Sequence, residues 1–99
     1  MDFKINLKDI KIKAGTIVKT VKKNENSFVL FSLSQIVDMF DKNVTTSNIA
    51  ILVSNGDGGA FASHLEGVTV LNNNWYVVFN DTLKTDMDCR IQYVIFYWG

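Results

Sequence analysis

The run Arg90-Ile91-Gln92-Tyr93-Val94-Ile95-Phe96-Tyr97-Trp98 constrains the fold of this 99-residue chain more than any other segment. Read as a strand, it puts Ile91, Tyr93, Ile95 and Tyr97 on one face and Gln92, Val94, Phe96 and Trp98 on the other. Both faces are largely apolar, the pattern of a strand covered from two sides. Left uncovered, such a strand is an aggregation hazard, so it is expected inside a sheet or against a neighbouring subunit. Trp75-Tyr76-Val77-Val78-Phe79 is a second run of this kind. Alternation places Trp75, Val77 and Phe79 on one face and Tyr76 and Val78 on the other. With 47% apolar residues, including seven Phe, three Tyr and two Trp, the chain carries ample material for one packed core.

Period-two alternation recurs elsewhere. Phe3, Ile5 and Leu7 alternate with polar residues, and Ile10 and Ile12 alternate with Lys11 and Lys13, which are expected on a wet face. Ala14-Gly15 reads as a turn. Thr16 to Val21 is β-branched, and Lys22-Lys23-Asn24-Glu25-Asn26 reads as a hairpin connector. Ser27 to Leu33 is apolar on both faces and suits a central strand. Ser34 is placed to cap a helix over Gln35 to Lys42, with Asn43 as its stop. Ile36, Met39 and Phe40 share one face of that helix and must lie on the sheet. Strands follow at Asn48 to Ser54 and Glu66 to Leu71, with a tight Asn72-Asn73-Asn74 turn and a polar loop from Asn80 to Asp88. The expectation is a mostly β chain: an antiparallel β-sandwich or barrel of seven to eight strands. It carries one short α-helix at about 34–42, in a single domain spanning 1–99.

Net charge is zero, but it is unevenly spread. Residues 1–23 hold seven lysines against Asp2 and Asp9, a balance of +5, and residues 24–99 carry −5. Alternating strands with lysines on their wet faces explain this most simply. A sharper reading is a basic edge that meets acidic surface on an identical neighbour or larger partner. Arg90 is the only arginine, so nucleic acid is not expected as a partner. Met1-Asp2-Phe3-Lys4 lacks the order of a secretion signal, and no apolar run approaches the ~20 residues of a membrane span. Folding in a cytoplasm, without a membrane partner, is expected.

Reactive groups are sparse. His64 is the only histidine and Cys89 the only cysteine, so neither an intrachain disulfide nor a zinc site of the usual ligands can be assembled. No Gly-x-Ser-x-Gly elbow accompanies His64. Asn55, Asp57 and Glu66 fall at positions 1, 3 and 12 of a calcium-loop pattern, but Gly59 and Ala60 break it at positions 5 and 6. Asp81, Asp86 and Asp88 share one polar loop and read as a solvated acidic surface rather than a glycosidase pair. No catalytic, cofactor-binding or metal-binding residue is expected, and no enzyme. Trp75, Tyr76, Tyr93, Tyr97 and Trp98 could form a sugar-stacking platform, although core or interface packing explains them better. A glycan stays open as a partner.

The stretch from Val53 through Asn55-Gly56-Asp57-Gly58, His64-Leu65-Glu66-Gly67-Val68-Thr69 and Trp75-Tyr76-Val77-Val78-Phe79, with the closing aromatic strand, resembles small structural proteins of tailed bacteriophages. These are capsid-decoration, head-fibre and tail-appendage domains, crAss-like phages among them. The likeness covers residues 53–99. It implies a β-sandwich that attaches in many copies to a virion assembled in the host cytoplasm. The decoration role is foremost, and a tail or fibre appendage or a carbohydrate-binding adhesion module is the alternative. Implied partners are other virion proteins (major capsid, tail or fibre proteins) and further copies of the chain as a homo-oligomer. The contact set expected from the residues is Lys4, Lys8, Lys11, Lys13, Tyr97 and Trp98.

Overall fold

A computed structural model describes residues 9–56 and 65–99. The two most apolar runs of the sequence become the central strands of two three-stranded antiparallel sheets. Six strands, β1 (Ile10–Val21), β2 (Ser27–Ser32), β3 (Ile49–Asn55), β4 (Leu65–Leu71), β5 (Asn74–Phe79) and β6 (Met87–Trp98), and one helix, α1 (Leu33–Met39), are the strands and α-helix of the described residues. The first sheet has the order β1-β6-β3 and the second β2-β5-β4. Their inner faces meet in one core, where Trp75, Val77 and Phe79 of β5 oppose Cys89, Ile91 and Ile95 of β6. The mostly β, sandwich-like architecture with one short helix is thus observed.

Six strands stand among the described residues where seven to eight were expected of the chain, in part because Ala14-Gly15 does not turn. Gly15 sits in the β1–β6 ladder opposite Tyr93. A Cβ on Gly15 would stand 2.6 Å from the Tyr93 hydroxyl oxygen. The tyrosine ring lies across the glycine and meets Phe31 of the other sheet edge-on, with centroids 4.9 Å apart. Glycine here makes room for a ring on the neighbouring strand. The expected Phe3 to Leu7 strand lies outside the described residues.

Ser27–Ser32 is an edge strand, not a central one. Its apolar residues on both faces have a local cause: the register with β5 shifts between Val29 and Phe31. That bulge turns two consecutive side chains inward, so both Leu30 and Phe31 are buried. Ser32, not Ser34, caps α1. Its hydroxyl accepts from the Gln35 N–H at 3.3 Å, while Gln35 Oε1 accepts from the Ser32 N–H at 2.8 Å, a reciprocal capping box. The helix ends at Met39 rather than Lys42. Ile36 is fully buried, and Met39 and Phe40 pack on the core as the periodicity required.

Lys22 to Asn26 crosses from one sheet to the other instead of closing a hairpin. The crossing is clamped by the segment after β5. Asn24 N–H donates to the Leu83 carbonyl at 2.8 Å, Leu83 N–H donates to the Glu25 carbonyl at 3.1 Å, and Lys23 N–H donates to Asp86 at 2.7 Å. Leu83, inside the expected polar loop, is buried and anchors it to the core. The Asn-rich turn is a two-residue hairpin between β4 and β5. Asn72 and Asn73 have φ of 53° and 61°, the left-handed pair that a type I′ turn requires and asparagine tolerates.

Candidate interaction surface

Alternation along β6 divides its side chains sharply. Cys89, Ile91, Ile95 and Tyr97 are buried on the inner face, and Val94, Phe96 and Trp98 lie on the outer face with no layer of the described chain over them. The register extends this outer face across the sheet. Ile10 stands beside Trp98, Ile12 and Ala50 flank Phe96, and Ala14 and Leu52 flank Val94. Three successive cross-strand rows are therefore apolar. The next row, Thr16-Gln92-Ser54, is polar, and beyond it exposed Val18 stands beside Arg90 and Thr20 beside Asp88. Ile12 is 58% exposed and Leu52 62%. Where the apolar rows give way to the polar one, the small side chains of Ala14 and Ser54 leave a shallow depression of about 510 Å³, bordered by Leu52, Gln92 and Val94. Contiguous apolar surface of this kind is uncommon on a free monomer and marks a place where another molecule packs.

The lysines stand on the opposite side from the one alternation suggested. Lys11, Lys13 and Lys19 pair with Tyr97, Ile95 and Cys89, so they share the inner side of the sheet with Ile17, and Ile10 and Ile12 face outward. The physical reason is that β1 is an edge strand of its sheet. Long lysine stems lie along the rim of the core and carry their ammonium groups to water. Lys11 Nζ sits 5.7 Å from the Tyr97 ring centroid and Lys13 Nζ 5.7 Å from that of Phe40, both within cation–π range.

The six residues expected to form one contact set are thereby divided. Lys4 and Lys8 lie outside the described residues. Lys11 and Lys13 edge the core, Tyr97 is 4% exposed within it, and only Trp98 belongs to the outer face. Tyr97 serves the fold. Its hydroxyl donates to Asp41 Oδ1 at 2.8 Å, which also accepts from the Asn43 N–H at 2.8 Å, while Lys11 Nζ approaches Oδ2 at 3.6 Å. The Tyr97 hydrogen bond, then the Asn43 N–H, hold the Asp41 carboxyl below its ordinary value, partly opposed by desolvation. Donating to the Asp41 carboxylate, with desolvation and that carboxylate's charge added, raises the Tyr97 hydroxyl above its own. Ile12, Leu52, Val94 and Phe96 were missed as surface residues. The signal was present in Val94-Ile95-Phe96-Tyr97-Trp98, whose two faces are both apolar while the described residues cover only one.

Opposite charges also meet within one chain. Lys22 pairs with Asp86 at 3.6 Å, and the Thr20 hydroxyl donates to Asp88 at 2.6 Å. The five aromatic side chains of the suggested sugar platform do not share a face: Trp75 and Tyr97 are in the core, Tyr93 covers Gly15, Tyr76 lies on the outer side of the second sheet, and Trp98 on that of the first. His64 and Asp57 lie outside the described residues. Among the described residues no three His, Cys, Asp or Glu side chains are grouped to hold a metal ion, and no helix is long and apolar enough to cross a membrane. Comparison of the chain with protein-family models, curated proteins and solved structures returns no match.

Proposed function

We propose that this chain is a non-catalytic bacteriophage virion protein, an auxiliary capsid (decoration) protein that attaches in many copies and stiffens the particle. The observation that carries the reading is the apolar outer face of the β1-β6-β3 sheet, which no described segment covers, centred on Phe96 and Trp98 with Ile12, Val94 and Leu52 around them. A sheet covered on one side by its own core and apolar on the other is built to receive a second layer. The partner is an apolar strip on a major capsid protein. The polar row Thr16-Gln92-Ser54 forms a rim that stays wet, as at ordinary protein interfaces. Each copy binds modestly, and repetition over a symmetric shell multiplies the effect. The resemblance of residues 53–99 to phage structural domains supports the same assignment.

The test is incorporation. Particles assembled with the wild-type chain, with Ile12→Lys or with Trp98→Ala are purified, and the chain is quantified by mass spectrometry. Wild type is expected in many copies per particle, and both variants are expected to fold and be lost from particles. Full incorporation of both variants removes the outer face as the attachment surface. Wild type missing from particles removes the virion role itself.

A further inference from the structure

We infer that two copies of this chain pair through the open edge of β3, in an antiparallel arrangement with a two-fold axis at Leu52. The inference concerns a different surface from the outer face and does not depend on what that face binds. Among the described residues four strands are sheet edges, β1, β3, β2 and β4, and β3 also runs close to β4 of the other sheet. Three carry a feature that discourages further pairing. On β1, Lys11, Lys13 and Lys19 repeat along one side. The registers of β2 and β4 are broken by shifts at Val29/Phe31 and Leu65/Gly67. The fourth, β3, is Ile49-Ala50-Ile51-Leu52-Val53-Ser54-Asn55, seven residues in unbroken register without charge or proline.

The hydrogen-bond phase of β3 fixes what its open side offers. Trp98 N–H donates to the Asn48 carbonyl at 3.1 Å, and Gly56 N–H donates to the Arg90 carbonyl at 2.8 Å. Bonded and non-bonded pairs alternate in an antiparallel ladder, so the even-numbered residues of β3 bond to β6, and the N–H and C=O of Ile49, Ile51 and Val53 point to the open edge. A second copy related by a two-fold at Leu52 meets this phase. Ile51 pairs with Val53 of the second copy, with both hydrogen bonds exchanged, and Val53 pairs with Ile51 in return. Leu52 meets Leu52 as a close, non-bonded pair on the outer face. Ala50 falls opposite Ser54, so small side chains face small ones. No like charges meet anywhere along the seam, as an isologous contact requires. The product is a continuous six-stranded sheet in which the two apolar outer faces lie side by side.

The test reads the mass of the purified full chain by light scattering coupled to size exclusion. Wild type is expected at twice the 11.2 kDa chain mass. Leu52→Lys sets two ammonium groups at the axis and is expected to halve the mass, with an unchanged circular dichroism spectrum. Leu52→Glu does the same alone, and mixing the two variants restores the doubled mass, because opposite charges then meet at the axis. Ile12→Lys, on the same outer face but at the far edge, is expected to keep the dimer. A wild type that stays monomeric overturns the inference. So does a charge-variant mixture that stays monomeric, or a dimer that survives Leu52→Lys and is lost in Ile12→Lys, since that would place the contact on the face instead of the edge.

Discussion

Tyr97 donates its hydroxyl to Asp41 at 2.8 Å, joining the end of the central strand β6 to the segment that leaves α1. Sequence separates the two residues by more than half the chain, and Phe40 packs on the same tyrosine ring with centroids 5.2 Å apart.

This bond predicts a pH window. Asp41 titrates below its ordinary 3.8 in the folded chain, so its contribution is present above that value and is lost as pH falls through the depressed one. Tyr97 titrates above its ordinary 10.0, so its contribution is present below that value and is lost as pH rises through the raised one. Urea unfolding of wild type and Tyr97→Phe should show a stability difference that is constant between these limits and shrinks at both ends. A difference independent of pH would mean the hydroxyl and carboxylate are not coupled.

Gly15 and Tyr93 should behave as one unit. Gly15→Ala forces the tyrosine ring away from the glycine and from Phe31, an overpacking cost of about 1–3 kcal/mol. In a Tyr93→Ala background the clash is gone, and the same change is expected to stabilise by about 0.4–1 kcal/mol through reduced freedom of the unfolded chain. A double-mutant cycle by chemical denaturation measures the coupling, and additive effects would refute it.

The cap is equally specific. Ser32→Ala is expected to cost about 0.5–2 kcal/mol, since it leaves the Gln35 N–H without its acceptor. Ser34→Ala, on an exposed side chain whose hydroxyl reaches only the Ser32 hydroxyl at 3.0 Å and leaves the Gln35 N–H its acceptor, should fall within about 0.5 kcal/mol of wild type. Equal losses at the two serines would place the cap elsewhere.

Inner and outer faces of the first sheet should part company in stability. Ile95→Ala in the core should cost about 2–5 kcal/mol. Ile12→Lys on the outer face should stay within about 0.5 kcal/mol of wild type, because that side chain is already in water. Thermal unfolding of both variants checks the contrast, and a large loss at Ile12 would show that the outer isoleucine serves the fold.

Much of this architecture is legible in the residues themselves. The two aromatic runs identify the central strands, the Asn72-Asn73 pair identifies the hairpin, and Ile36, Met39 and Phe40 identify the buried side of the helix. What misleads is local resemblance without tertiary context. Ala14-Gly15 has turn chemistry, yet the glycine is there for a ring on another strand. Ser34 has cap chemistry, but only Ser32 stands three residues before a glutamine. Lys11 and Lys13 alternate correctly with Ile10 and Ile12, and alternation alone cannot say which set faces the core. On this edge strand Ile10 and Ile12 face out. That inversion hid the outer surface, since strands were assumed to keep their lysines wet and their isoleucines dry.

Cys89 is the chain's only thiol, and it is wholly enclosed between the sheets, its sulfur 3.8 Å from the Met87 carbonyl. A thiol reagent reaches it only when the two layers part. Alkylation kinetics on the unmodified protein therefore clock the opening of the sandwich directly, with no engineered label, and would register any tightening when a partner settles on the chain.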